Sequence, residues 1–124
     1  MSKLNKNRRK IIDFIKSYNE PVNARVIAQY FKNEMDQATV YRNLNYLEKN
    51  RYIEGFIYNC RYTGIVKFFY NKDDKHFHFL HCKECHHFQP IEGCNTRMKE
   101  LEEKNNIKID NHIMYYTGIC NKCL

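Results

Sequence analysis

Two C-x-x-C hooks constrain this chain more than any other feature: Cys82 and Cys85 in HFHFLHCKEC, and Cys120 and Cys123 in TGICNKC. Each hook presents two sulfurs at a spacing that suits bonds of about 2.3 Å to one ion, so together they suffice for one tetrahedral four-thiolate zinc site. Disulfides and inert buried thiols are the alternatives. A chain of 124 residues makes one domain or two very small ones, and small domains bury only about 60% of their unfolded surface. A zinc staple would offset that shortfall, because its binding energy becomes folding energy. The first residues, MSKLNKNRRK, lead into the amphipathic run IIDFIKSY rather than an apolar core with a small-residue cleavage site. A reducing, cytoplasmic setting is therefore expected, where paired cysteines bind metal. No stretch approaches the roughly 18 apolar residues of a membrane span, and no membrane partner is expected.

The formal net charge of +7 is unevenly placed. Residues 1–51 carry eleven Lys or Arg against five acids, whereas residues 52–124 carry ten against nine. A basic first half joined to a nearly neutral second half fits a nucleic-acid-binding module attached to a module with another task. A merely soluble basic surface is the plainer reading of the same charges.

The hydrophobic pattern predicts an α+β chain. Residues 4–18 put Leu4, Ile11, Ile12, Ile15 and Tyr18 near one helical face, and Pro21 ends that helix. Asn23 is placed to cap a second helix with Val26, Ile27, Tyr30 and Phe31 at helical spacing. Asp36 is placed to cap a third, over residues 37–50, with Val40, Leu44 and Leu47 inward and Tyr41, Arg42, Asn43 and Asn45 on other faces. Two aromatic and β-branched runs, YIEGFIY and GIVKFFY, follow as a hairpin joined by residues 59–64. Three helices and a hairpin make a winged helix over residues 1–70, whose third helix would enter the major groove. Residues 71–75 are the expected hinge. Residues 76–124 read as a small α+β module. Its strands are HFHFLH, FQPIEG (with Pro90 at an edge) and IKIDNHIMYY, and its helix is TRMKELEEKNN with Met98 and Leu101 inward.

Within that module His76 and His78 alternate onto one face of a strand, as two ligands of a single ion would. RRKII in the first helix, ATVYRNL in the third, HFHFLHCKEC, the NH before an aromatic strand and the closing TGICNKC occur in an order that is highly specific. In these features the chain resembles the ferric uptake regulator (Fur) family of bacterial metal-dependent transcription factors, over nearly its whole length. The resemblance implies an N-terminal winged helix, a C-terminal dimerisation domain, and a homodimer that binds a palindromic double-stranded DNA operator when loaded with metal, usually as a repressor. It further implies that the chain is not an enzyme.

Carried over by position, Tyr41 and Arg42 match the family's DNA-contacting pair, with Thr39 close to the backbone. Arginine forks onto a guanine edge or a phosphate, and tyrosine offers a ring to thymine methyls; Arg8 and Arg9 are expected at phosphates. Cys82, Cys85, Cys120 and Cys123 match the structural zinc ligands. For the regulatory site the family adds a carboxylate and a last-strand histidine. His112 matches the histidine, and Glu92 is the first choice for the acid, with Glu100 or Glu103 behind it, since counting back from His112 reaches Asn95. Imidazole and carboxylate ligands suit Fe(II), Mn(II), Zn(II) or Ni(II).

Three departures from the family pattern bear on mechanism. The common H-x-H-x-x-C spacing is one residue longer here, so either a bulge absorbs the addition or His81 takes over a ligand role. His86 replaces the glycine usual after the first hook. Residues 1–75 contain no histidine, which leaves Glu20 or Cys60 as first-half ligands and argues against a peroxide sensor that works through oxidation of such a histidine. A nucleobase deaminase also pairs histidine with C-x-x-C, but it needs an H-x-E motif, which His76-Phe77-His78 lacks.

Overall fold

The computed structural model describes residues 4–71, 77–94, 97–110 and 112–124. The chain divides into two compact units, residues 1–74 and residues 75–124. Four of the five residues expected as a hinge, 72–75, lie outside the described residues, and Asn71 closes a strand instead.

The N-terminal unit is a winged helix. Helix α1 (Lys6–Ser17) starts where the Asn5 side chain accepts the Arg8 amide, α2 (Ala24–Tyr30) where Asn23 accepts the Val26 amide, and α3 (Gln37–Lys49) where Asp36 accepts the Thr39 amide. Each cap satisfies one of the orphan amides of a helix start. Ile11, Ile12 and Ile15 of α1, Ile27 of α2, and Val40, Leu44 and Leu47 of α3 meet in one core with Phe31, Met35, Ile53 and Phe69.

Strand β1 (Val22–Asn23) pairs antiparallel with β3 (Gly64–Asn71), which pairs in turn with β2 (Ile53–Cys60). The hairpin runs in register from Ile53↔Asn71 to Cys60↔Gly64, longer than its sequence suggests, and its turn is only Arg61-Tyr62-Thr63. Two-residue β1 escapes periodicity analysis because it is too short to show a period. Tyr18, Val26 and Tyr30 are more exposed than their helical spacing predicts. Seven-residue α2 turns only Ile27 and its cap Phe31 fully inward, while Tyr18 and Tyr30 lie against Phe14 with ring centroids 5.4 and 4.4 Å away.

The C-terminal unit is built on β4 (Phe77–Cys82), with β5 (Phe88–Glu92) antiparallel on one side and β6 (Tyr115–Gly118) parallel on the other. Phe79 sends its N–H to Met114 on the β6 side, so its pairing with Pro90 needs no hydrogen bond from the proline, and β5 tolerates that residue as an edge strand. Helix α4 (Met98–Asn105) buries none of its side chains, Leu101 included. The strand expected over residues 107–116 is shorter and later. The described residues before Tyr115 are irregular, with Ile109 tied to the Glu102 carboxylate at 2.8 Å. Among the described residues no helix is long and apolar enough to cross a membrane.

Candidate metal centre and nucleic-acid interface

The β4–β5 register is unbroken from Phe77↔Glu92 to His81↔Phe88, and the β4–β6 register from Phe79↔Tyr115 to Cys82↔Gly118. The paired residues thus contain no bulge to absorb the longer histidine–cysteine spacing. Alternation along regular strands then assigns faces: His78, Leu80 and Cys82 leave on one, and Phe79, His81, Phe88, Pro90 and Glu92 on the other. His81 is buried against Phe88, ring centroids 4.8 Å apart, on the face opposite His78.

On the Cys82 face, the sulfurs of Cys82, Cys85, Cys120 and Cys123 lie within 4.8 Å of one another. Cys85 Sγ and Cys120 Sγ are 3.8 Å apart. A tetrahedron with spokes of about 2.3 Å has edges of about 3.8 Å, whereas a disulfide needs about 2 Å. The geometry fits zinc. Cys82 Sγ accepts the amides of Glu84, Cys85 and Cys120 at 3.4, 3.5 and 3.4 Å. The Cys85 and Cys120 amides do most to hold its thiol down to about 6, while hydrogen bonding to the Cys120 and Cys82 sulfurs pushes Cys123 up to about 12. The hook turns back through His86, whose φ of +63° is in the left-handed region. This explains why glycine suits the position, since a side chain there costs about 1–2 kcal/mol.

A second cluster joins His78, Cys94 and His112, whose ligand atoms also lie within 4.8 Å of one another. The His78 and His112 ring centroids are 5.0 Å apart, and Cys94 Sγ is 3.2 Å from His112 Nε2. His78 is almost fully buried and its Nδ1 accepts the Met114 amide at 3.2 Å, which fixes the ring. Cys94 was missed by sequence reasoning. It belongs to neither hook, and its one signal is its place next to Asn95, the position reached by counting back from His112. His76 and Asn95 lie outside the described residues. Glu92, Glu100 and Glu103 are exposed and do not join the cluster. Cys60 is buried at the end of β2, and Glu20 is half-buried.

In the N-terminal unit, Tyr41 and Arg42 stand exposed in the first turns of α3. Arg42 Nη2 donates to Thr39 Oγ1 at 3.3 Å, and the Thr39 hydrogen bonds hold the Asp36 cap carboxyl below its ordinary range. Arg9 is exposed. Arg8 is engaged inside the unit: its Nε donates to Asn43 Oδ1 at 3.2 Å and its guanidinium lies 3.5 Å from the Tyr46 ring centre. Asn43, expected on an outer face, is buried for this reason.

The sequence matches the family model described as the ferric uptake regulator family over residues 2–117. The chain belongs to the ferric uptake regulator family. The fold agrees with solved structures of ferric uptake regulators. That of Helicobacter pylori, described as having three functional metal binding sites, superposes with a TM-score of 0.72 at 20% identity, covering 98% of this chain and 81% of that one. The Vibrio cholerae regulator gives 0.73 at 23% identity, covering 95% and 92%. A zinc uptake regulator complexed with zinc and DNA gives 0.67 at 14% identity, covering 98% and 83%. No curated protein matched in sequence. The ferric uptake regulator family thus accounts for the winged helix, the small α/β unit and the metal-ligand character of the clusters.

Proposed function

We propose that this chain is a metal-responsive DNA-binding regulator, acting as a repressor in the cytoplasm. In this reading residues 1–70 bind DNA and residues 76–124 dimerise the protein and sense metal. The observation that carries it is the presence of two ligand clusters of different kinds. The four-cysteine cluster fills every position of a tetrahedral ion and suits a permanent zinc. The His78–Cys94–His112 cluster offers three described ligands, one of them exposed, and suits an ion that comes and goes. His76, two residues before His78, is a further candidate ligand by sequence. Support for a homodimer comes from apolar side chains that one copy leaves exposed: Leu101, Ile107, Ile113, Tyr115 and Tyr116.

The mechanism is linkage. Metal at the regulatory cluster favours the arrangement in which the α3 helices of two copies sit about one DNA turn apart, roughly 34 Å, matching a palindrome. Arg42 and Tyr41 read base edges, Thr39 and Arg9 hold the backbone, and Arg8 adds positive charge behind them. The test is operator binding titrated with divalent metal. Affinity is expected to rise with metal, and His112→Ala to abolish the rise while leaving the structural zinc in place. Equal binding with and without metal would refute the proposal.

A further inference from the structure

The geometry points to Cys94 as a thiolate ligand of the regulatory site, and thereby to zinc as the ion this site takes. The inference rests on the regulatory reading of His78 and His112 given above. Gly93, with φ of +102°, turns the chain after β5 in a conformation that a side chain rarely adopts. Beyond that turn the next side chain, Cys94, sits beside the histidines rather than on the Glu92 face of the sheet. Its sulfur is 3.2 Å from His112 Nε2, close to the roughly 3.5 Å that separates a nitrogen and a sulfur on one tetrahedral zinc. Four other cysteines already satisfy one another in the hook cluster, so the Cys94 thiol is not taken up there.

The donor set decides between ions. A carboxylate in the third position would leave iron, manganese, nickel and zinc as comparable candidates. Two imidazoles and a thiolate favour zinc, because manganese prefers oxygen donors, ferrous iron stands below zinc in intrinsic affinity, and nickel favours square or octahedral surroundings.

The experiment uses the full chain carrying its structural zinc, with Co(II) as a spectroscopic probe and Zn(II), Mn(II), Fe(II) and Ni(II) in competition. One equivalent of Co(II), added while zinc holds the hook site, is expected to give a thiolate-to-cobalt charge-transfer band in the wild type but not in Cys94→Ser. Zinc content measured in both proteins shows that the hook site has not exchanged. Zinc affinity is expected to fall at least about tenfold in Cys94→Ser, since losing even an outer partner of a ligand costs that much. Cys94→Asp is expected to lower the preference for zinc over manganese by a similar factor. Absence of the band in the wild type, equal zinc affinity in Cys94→Ser, or tighter binding of any competing ion than of zinc overturns the inference. Operator binding separates the two levels. A thiolate band without any operator response to metal sinks the regulatory reading alone, whereas an operator response to metal in a wild type that shows no band sinks the zinc–thiolate inference alone.

Discussion

His78 and Cys82 leave strand β4 on the same face, four residues apart, with Leu80 between them. The two ligand clusters therefore share one strand and one side of the sheet, about 13 Å apart along it. The extra residue in the histidine–cysteine spacing produces this arrangement. One residue fewer in an unbroken strand would send the histidine to the opposite face. Gly118, whose added Cβ would meet Leu80 Cδ1 at 3.3 Å, leaves room for Leu80 to pack between the sites.

Removing one sulfur should unmake the C-terminal unit. A structural zinc contributes an apparent 10–16 kcal/mol or so in small domains, about as much as a whole domain's net stability or more. Cys82→Ser and Cys123→Ser are both expected to lose zinc and the dimer, while the wild type keeps about one zinc per chain through mild chelation. Metal analysis combined with native mass measurement checks this; a zinc-free mutant that remains a stable dimer contradicts it.

Arg8 and Arg42 should separate by assay. Arg42→Ala removes an exposed side chain, and operator affinity is expected to fall by about 1–3 kcal/mol with little change in thermal stability. Arg8→Ala strands the buried Asn43 carbonyl and removes the cover over Tyr46. It is expected to cost about 1–3 kcal/mol of stability even without DNA. Thermal unfolding of DNA-free protein distinguishes the two.

His86→Gly should stabilise the zinc-loaded protein by about 0.5–1 kcal/mol, the relief of a left-handed side chain less the entropy that glycine adds to the unfolded chain. Denaturant unfolding at fixed zinc measures it. A loss of stability would mean that the imidazole contributes more than the strain costs.

The parts of the fold legible in the sequence are those fixed by local chemistry. Asn23 and Asp36 cap the helices they were expected to cap, because a capping side chain acts within three residues of itself. The hooks are legible because each pair of cysteines sits at metal-ligand spacing, a signal local to four residues. Cys94 was not, because it lies 18 positions from His112 and no spacing rule joins them. Asn43 was misplaced because its polarity suggested solvent, when a partner 35 residues away, Arg8, satisfies it in the interior. Leu101 follows the helical period, but it stays 42% exposed in one copy of the chain. Periodicity identifies an apolar face without saying which molecule covers it.

Pro90 blunts one edge of the second sheet. On edge strand β5, opposite Phe79, it presents no amide where an added strand would look for a donor. A strand laid along β5 forfeits that hydrogen bond, so a single residue guards this edge against stray pairing.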